Sequence, residues 1–490
     1  MIEALVIIAP TSALLTAAVT WFAPTARRAD HLNTAGAVLT AVLVLALAGI
    51  AIVNAAEPRS GAWWMLDAGG GVFLAVIAVV GLLSALVAPS QLAASGRGLV
   101  RATRGRALYY SAYHVFWAAL IAVPLVNNLG LAWLLVEATT GASALLVAYS
   151  GTRTALEAGW KYLVLTTFGL AVAMLGIIIL YATIAPEGGS LATLDWQSIA
   201  LAAPDLSGSP AVVAFALIVV GLATKVGWAP VHNWLPDAHS EAPPPVSALL
   251  SAALLPTVML VIWRVVVAMG PALDPGTASA IVLAFGLVSL AVAVPFLWQS
   301  MALKRLLAYS SLEHMGILAI GIGFATPLAT AGVVIHVAGH ALAKSLGFYT
   351  AGPLLRHVPQ SRHEAVRGLA LASPPTATAF GVSLGALAGM PPSPLFVSEI
   401  FILLGGIVAG EIAVTVVAAS LLALGFLGLA KPLVEGLVGE PRVKKWPSGR
   451  SGPRLLRLTA VCGVLMLTLT AVAFLLPDSS LIRDLMTGVA

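Results

Sequence analysis

The sequence predicts an all-α integral membrane protein with about 14 transmembrane helices. Sixty per cent of the 490 residues are hydrophobic and 9% are charged, whereas soluble domains carry about 25% charged residues. The mean hydropathy is +1.00. Apolar runs recur from end to end, and at about 20 residues each is long enough to cross a hydrocarbon core of roughly 30 Å. These observations exclude a water-soluble fold.

The expected spans follow these apolar runs in chain order. They cover approximately residues 3–22, 35–55, 71–90, 108–126, 129–149, 157–184, 210–235, 244–268, 278–298, 304–323, 327–351, 372–410, 411–431 and 455–476. Inner loops of membrane proteins are enriched in lysine and arginine. With the N-terminus outside, inner loops hold nineteen of the 25 basic residues, outer positions three and spans three. We therefore expect both termini outside, and a net charge of +5 that reflects topology rather than a nucleic-acid partner.

We expect one membrane domain in three parts, since no linker or shift in composition divides the chain. Residues 1–107 hold the first three helices and 108–431 form the core. Residues 432–490 hold a basic inner loop, with Lys444 and Lys445, and the last helix.

Helices 7 and 12 are interrupted by glycine and proline, at Gly227 to Pro230 and at Gly389 to Pro394. Both residue types disturb helical hydrogen bonding, and broken helices within membranes line cavities or pack against protein. Interrupted segments at matching positions of two halves are typical of transport sites. The two breaks predict an inverted repeat of helices 4–8 against helices 9–13.

Five ionisable residues fall inside apolar stretches and are the first candidates for function. They are Lys161, Lys225, Lys344, Glu137 and Glu399. A charge near the bilayer centre costs roughly 2.5–3.5 kcal/mol on insertion scales, and such residues usually mark ion or proton routes. The sequence therefore favours a protein that conducts protons.

Glu137 and Lys225 are the expected ion pair of the first half. Pairing favours the charged form of both groups, whereas burial disfavours it, so a pair that opens and closes switches its protonation readily. A protonated Glu137 bonded to a neighbouring helix, or a Lys225 that snorkels to the surface, is the structural alternative. For Lys161 the alternative is an ion pair with Glu157, four residues earlier on the same helix.

Helix 11 carries the candidates of the second half. His336, His340 and Lys344 are spaced four residues apart and so lie on one helix face. Imidazole titrates near neutral pH, which suits proton transfer, although satisfied interior histidines are the alternative. Glu399 would exchange the proton at the far end, and His314 is a weaker candidate. Two histidines at this spacing also suit zinc, but no third ligand is near in sequence, so no metal site is predicted.

No cofactor motif stands out in the sequence. The chain has no Walker motif, no dinucleotide-binding glycine motif, and no ligand set for haem or an iron–sulfur cluster. Its single cysteine, Cys462, cannot form an internal disulfide. We expect no cofactor in this chain, which would then be a non-redox subunit driven by ion gradients or by partners.

One long segment resembles a known family signature. Residues 225–250 read KVGWAPVHNWLPDAHSEAPPPVSALL. This run is similar to the signature of the antiporter-like subunits of respiratory complex I, multisubunit cation/proton antiporters and membrane-bound hydrogenases, and the resemblance extends over helices 4–13. Three further segments, 156–163, 304–316 and 336–344, are most similar to the F component of hydrogenase-4-type complexes.

The resemblance implies roles for individual residues. Glu137 and Lys225 match the family's glutamate–lysine pair, and Glu399 matches its terminal carboxylate. The implied helix-11 relay comprises His336, His340 and Lys344. Secondary candidates for proton transfer are Lys161, His232, Asp237 and His314.

The resemblance also implies a function and partners. The chain would be a proton-translocating subunit of a redox-driven complex in a prokaryotic-type cell membrane, with other membrane subunits, peripheral redox subunits and lipid as partners. A subunit of a sodium/proton antiporter and a non-transporting scaffold for a soluble redox enzyme are the alternatives. One departure matters: respiratory members usually place a lysine in helix 8 where this chain has Pro256. The central relay would then be bridged by water, by the helix-11 histidines, or not at all.

Overall fold

The computed structural model describes residues 2–55, 59–95, 102–206, 208–357, 367–440 and 451–487. Most of these residues belong to helices. Within these ranges, thirteen helical segments are long and apolar enough to cross a membrane. The remaining expected span, 372–410, is divided between two shorter helices. The all-α membrane fold is therefore confirmed. Lys444 and Lys445 lie outside the described residues.

The N-terminal part consists of three long helices and a short hairpin. The helices are α1 (Ile2–Trp21), α2 (Ala26–Val53) and α3 (Ala68–Ser95). Strands β1 (Arg59–Ser60) and β2 (Met65–Leu66) pair in antiparallel fashion between α2 and α3. A side-chain oxygen of Asp67 accepts a hydrogen bond from the Gly70 amide at 3.0 Å, which satisfies a free donor in the first turn of α3.

Eight helices form the first half of the core. They are α4 (Ala102–Leu125), α5 (Leu129–Val147), α6 (Arg153–Ile184), α7 (Trp196–Ala202), α8 (Ser209–Val226), α9 (Leu235–Glu241), α10 (Pro244–Leu249) and α11 (Leu255–Met269). Side-chain caps start two of them, because Asn128 accepts from the Leu131 amide and Thr152 from the Ala155 amide.

Seven helices form the second half of the core, and two follow it. The core helices are α12 (Thr277–Leu297), α13 (Leu303–Phe324), α14 (Pro327–His357), α15 (Leu369–Ala372), α16 (Pro374–Leu387), α17 (Pro394–Val408) and α18 (Ile412–Leu437). The C-terminal helices are α19 (Ser451–Val472) and α20 (Ser480–Thr487).

Glycines let helices approach closely in both halves, as is usual in membranes. A Cβ on Gly221 of α8 would lie 2.4 Å from the amide nitrogen of Ala173 on α6. A Cβ on Gly286 of α12 would lie 2.8 Å from the carbonyl oxygen of Gly316 on α13. The backbones of α6 and α8, and those of α12 and α13, therefore lie so close together that a side chain would not fit between them.

Both expected helix breaks are present. Helix α8 ends just before Gly227, and α16 ends just before the turn that contains Gly389. The two glycines have φ angles of 79° and 70°, a left-handed conformation that glycine adopts without strain. Pro230 and Pro392 each follow at the third position after the glycine. The equal spacing accords with an inverted repeat, which itself stays a prediction.

Pro256 changes the geometry of the eighth expected span, residues 244–268, rather than ending it. A π-helical turn at residues 250–254 joins α10 to α11. Since proline has no amide hydrogen, the carbonyl of Ala252 loses its α-helical donor, which favours the wider turn. Ser251 in this turn shares a hydrogen bond with Ser311 of α13 at 2.7 Å. The helix therefore continues and presents a polar atom to the second half.

The most buried helices lie at the centre of the core. In the membrane-spanning parts of α10–α11 and of α13, 100% of the residues are buried. In those of α18 and α19, the shares of buried residues are 28% and 22%. The peripheral helices expose apolar side chains such as Val416, Leu427 and Val464, as expected for surfaces that meet lipid.

The last helix is attached to the rest by a small ionic cluster. The Ala68 amide donates to Asp484 of α20 at 3.0 Å, and Arg264 of α11 donates to Asp67 at 2.7 Å and to the Pro124 carbonyl at 3.1 Å. Burial, and then the charge of Asp67, raise the pKa of Asp484 to about 6. This cluster joins α20 to α3 and α11.

Candidate proton-transfer site

Lys225 lies in the last turn of α8, directly before the first break, and its side chain is 0% exposed. Its Nζ donates to Thr140 Oγ1 of α5 and to the Tyr162 hydroxyl of α6, both at 2.6 Å. Both hydrogen-bond acceptors are neutral oxygens, and the charge of Glu137 acts on the ammonium without direct contact. The snorkelling alternative does not apply, because the ammonium is bound in the interior.

The expected direct pair of Glu137 with Lys225 is corrected by the structure. No ion pair within 4.0 Å joins them, although both residues belong to the described ranges. Glu137 Oε1 instead accepts from Thr167 of α6 at 2.8 Å. Thr140 lies one helical turn beyond Glu137 and occupies the position nearest the ammonium. Glu137 is also only half-buried, not enclosed as expected.

Lys161 is not an interior charge, which corrects the expectation drawn from its apolar neighbours. Its side chain is 36% exposed, and Nζ lies 2.5 Å from Glu157 Oε1, the ion pair that was the alternative. Asp237 of α9 lies 3.8 Å away and also pairs with Arg305 of α13 at 2.8 Å. Lys161 and Asp237 therefore belong to a half-exposed ionic cluster, and half-buried His232 lies in the loop between α8 and α9.

His239 of α9 lies between the two halves and was not singled out from the sequence. It is 0% exposed, and its ring centroid is 6.0 Å from that of Trp234, which is 4.6 Å from that of Tyr162. Its Nδ1 donates to the Leu235 carbonyl at 2.9 Å, so the neutral ring carries a lone pair on Nε2. That nitrogen is buried without a hydrogen-bond partner in the described part of the chain.

Lys344 is one of two buried lysines of the second half. The other, Lys304 at the start of α13, is 4% exposed and donates to the Ser240 carbonyl at 2.7 Å. Lys344 is 0% exposed, and its Nζ donates to the Leu307 carbonyl of α13 at 2.6 Å and closely to Ser310 Oγ. His340, one turn earlier on α14, is also 0% exposed. Neither of its ring nitrogens has a hydrogen-bond partner among the residues that the structure describes. Lys344 and His239 interact electrostatically, which connects the two halves.

His314, His336 and Ser398 form a hydrogen-bonded chain whose polarity follows from the serine. Ser398 Oγ donates to the Leu395 carbonyl at 2.8 Å, so it accepts from His336 Nδ1 at 2.9 Å. In a neutral ring the His336 Nε2 is then an acceptor, and it takes the hydrogen of His314 Nδ1 at 3.0 Å. When a proton arrives at His314 Nε2, the hydrogen on His314 Nδ1 can move to His336 Nε2 along this bond.

Two carboxylates lie beside this chain. Glu399 of α17 is half-buried under the second break, where a Cβ on Gly389 would lie 2.7 Å from Oε2. Glu313 of α13 is 3% exposed and was not predicted, because the residues around it in the sequence, such as His314, are partly polar. Its electrostatic partners are Lys344 and Glu399.

Side-chain atoms of His314, His336 and Glu399 that could bind a metal all lie within 4.8 Å of one another. The fold therefore brings two possible ligands from other helices close to His336 of α14, which the sequence alone did not indicate. However, the two imidazole nitrogens that face each other already share a hydrogen bond. That hydrogen bond occupies one lone pair that a metal ion would need.

Together these residues form what we call the polar stripe, a run of buried titratable groups through interior helices. Its members in spatial order are Lys225, His239, Lys344, His340, His314, His336 and Glu399. The neutral partners Thr140, Tyr162, Ser310 and Ser398 were not predicted, since serine, threonine and tyrosine are common in membrane helices. The expected His336, His340 and Lys344 face the same interior region.

Comparison with known proteins identifies the family. Residues 126–425 match the model of the NADH:quinone oxidoreductase/Mrp antiporter transmembrane family. A hydrogenase-4 component F homolog of Methylacidiphilum infernorum is 31% identical over 78% of this chain and 80% of its own length. NADH-quinone oxidoreductase subunit N of Desulforudis audaxviator is 30% identical over 80% of this chain and 79% of its own length.

The fold agrees with solved structures. A chain of the membrane-bound sulfane sulfur reductase, an archaeal respiratory membrane complex, superposes with a TM-score of 0.86 at 20% identity, covering 99% of both chains. The resemblance seen in the sequence is thereby confirmed. The chain belongs to the NADH:quinone oxidoreductase/Mrp antiporter transmembrane family, as a proton-antiporter-like membrane subunit of the hydrogenase-4 and complex I type.

Proposed function

We propose that this subunit moves protons along the polar stripe, between Lys225 and Glu399, within a redox-driven membrane complex. The observation that carries the proposal is the placement of His239 between two buried lysines, one in each half. Ionisable groups inside a membrane protein are costly and usually serve transport. Here they follow one another through the interior helices.

In the first half, a proton would enter the polar stripe at Lys225. Lys225 is held only by neutral oxygens, so a change of charge near Glu137 alters the stability of the ammonium without first breaking an ion pair. Glu137 Oε2 has no hydrogen-bond partner within the described ranges, and the side chain is half-exposed on α5. A charged side chain that is partly exposed within the membrane is unfavourable, which supports a neighbouring membrane subunit as the group that covers Glu137.

The middle of the route would pass through His239. Respiratory members of the family usually carry a lysine in the eighth membrane span, where this chain has Pro256. In its place, the lone pair of His239 Nε2 supplies an acceptor between Lys225 and Lys344. The buried nitrogens of His239 and His340 that lack protein partners favour bound water, since an unsatisfied buried polar atom costs about 1–3 kcal/mol. Water would carry the proton across these gaps.

In the second half, the proton would leave the polar stripe at Glu399. From Lys344 and His340 the proton reaches His314 Nε2, and the hydrogen on His314 Nδ1 moves to His336 Nε2. His336 then gives up a proton to the carboxylate of Glu399, an oxygen of which lies within 4.8 Å of a nitrogen of its ring. The reversible polarity of the histidine–serine chain supports this step, because each imidazole can accept at one nitrogen while it donates from the other.

The decisive experiment replaces Lys225 with alanine. The complex that co-purifies with the tagged chain is reconstituted into vesicles, and a potassium gradient with valinomycin drives proton uptake, followed by a trapped pH dye. Lys225→Ala should lower the flux by roughly 100-fold or more, the contribution of a positioned proton-transfer group. Lys431→Ala, at an exposed position on α18, is the control. Wild-type flux in Lys225→Ala vesicles would refute the role.

The same vesicles separate this proposal from its alternatives. A sodium/proton antiporter subunit, suggested by the Mrp name of the family, would show proton flux that depends on a sodium gradient. A non-transporting scaffold would show no flux in the wild type. Mass spectrometry of the co-purified proteins identifies the partners, for which we propose other membrane subunits and a peripheral redox arm. We further propose a cell-membrane location with both termini outside, which cysteine labelling of the termini tests.

A further inference from the structure

Glu313 is a buried carboxylate that the proposed route does not use. It lies on α13 and is 3% exposed. Its Oε2 has no hydrogen-bond partner among the residues described. An ionisable group in such a position is by default a candidate for function, because burial without a partner is costly.

The surroundings of Glu313 join the two ends of the second half. Lys344 of α14 donates to Ser310, which lies one turn before Glu313 on α13. An oxygen of Glu399 lies within 4.8 Å of a ring nitrogen of His314, the residue after Glu313, and both Lys344 and Glu399 interact with Glu313 electrostatically. No ion pair within 4.0 Å binds Glu313 to Lys344, both being described residues. Glu313 therefore lies close to both a proton donor and a proton acceptor, without a direct contact that would fix its charge.

A glycine makes room for this carboxylate. A Cβ on Gly425 of α18 would lie 1.8 Å from Glu313 Oε1, so the carboxyl group rests against the backbone of α18. The atom that a Cβ would displace is the far end of a flexible side chain. An alanine at this position would therefore move the carboxyl group while leaving the two helices in place.

We propose that Glu313 is a proton-carrying residue between Lys344 and Glu399, held in the notch at Gly425. The ammonium of Lys344 releases its proton, through one water, to the Glu313 carboxylate, which leaves a neutral amine and a carboxylic acid. The carboxylic acid then passes the proton to the Glu399 carboxylate and returns to its anionic form. This step lies parallel to the histidine chain and rests on the proposed function.

The test uses the reconstituted complex and the proton-flux assay described above. Glu313→Gln keeps the shape and removes the acid, and should lower flux by roughly 100-fold. Gly425→Ala keeps the acid and displaces it, and should lower flux by roughly tenfold. Gly463→Ala, where a Cβ meets nothing within 4 Å, and Glu411→Gln, at an exposed position, are the matched controls.

A double variant separates positioning of the acid from damage to α18. Aspartate is one methylene shorter and does not reach the notch, so Gly425→Ala should have no further effect on a Glu313→Asp background. Infrared difference spectra between acid and neutral pH should contain a carboxylic acid band that Glu313→Gln removes. A residue that only balances the charge of Lys344 would keep one protonation state and give no such band.

Three results would overturn the inference. They are wild-type flux in Glu313→Gln, equal effects of Gly425→Ala and Gly463→Ala, and a difference spectrum that Glu313→Gln leaves unchanged. If Glu313→Gln does not assemble, Gly425→Ala and the double variant decide the question. Normal flux in Lys225→Ala would instead defeat the proposed function itself, so the two failures are distinguishable.

Discussion

The hydroxyl of Tyr162 provides a quantitative test of how Lys225 holds its proton. Tyr162→Phe preserves the ring and removes one of the two hydrogen bonds that the buried ammonium makes. It also removes the hydrogen bond that the hydroxyl shares with Ser143 Oγ at 2.8 Å. A hydrogen bond to a charged group contributes about 1.5–3 kcal/mol. At about 1.4 kcal/mol per factor of ten, the loaded form of Lys225 should become roughly 10- to 150-fold less populated. Proton flux measured in vesicles should fall by the same factor.

Tyr181→Phe is the matched control for this experiment. Tyr181 lies on the same helix, α6, and its hydroxyl accepts from the Gly189 amide at 3.1 Å, away from Lys225. It should leave the flux unchanged. If Tyr162→Phe and Tyr181→Phe gave equal flux while Lys225→Ala abolished it, the hydroxyl would have no part in holding the proton. The account of Lys225 as a lysine stabilised by neutral oxygens would then be wrong.

Three further predictions concern single side chains. His239→Phe should lower flux by roughly 100-fold in the vesicle assay while Lys225 and Lys344 remain, because it removes the acceptor between the halves. Ser398→Ala leaves His336 Nδ1 without its acceptor, which costs about 1–3 kcal/mol, and flux should fall by roughly tenfold or more. Burial raises the pKa of Asp484 to about 6, above the usual value of about 3.9. The stabilisation associated with its protonated form is therefore lost as pH rises through 6. Asp484→Asn should melt at a higher temperature than the wild type above pH 6 and at the same temperature below about pH 4, as followed by thermal unfolding in detergent.

The fold could be predicted because its main determinants are local. Apolar runs of sufficient length mark each span, and glycine with proline marks both breaks, so the interruptions at Gly227 and Gly389 were expected and observed. The four-residue spacing of His336, His340 and Lys344 likewise places them on one helix face before any tertiary contact is known.

The parts that could not be predicted depend on contacts between distant helices. Glu137 interacts electrostatically with Lys225 but does not touch it, because Thr140 and Tyr162 bind the ammonium. Neutral hydroxyls carry no signal in an apolar sequence. Lys161 resembles an interior lysine by its neighbours, but its place near the start of α6 leaves it 36% exposed. His239 gains its importance only when α9 is packed against the second half.

The formal charges of the interior show why one further acid matters. Lys225, Lys304 and Lys344 contribute three positive charges, and Glu137, Glu313 and Glu399 contribute three negative charges when all are ionised. The set is then neutral, and a mobile proton creates one uncompensated charge in a medium that screens it poorly. Without Glu313 the set would already carry one positive charge, and the mobile proton would add a second. The loss of Glu313 should therefore reduce flux even where the histidine chain is intact, and the flux of Glu313→Gln measures this directly.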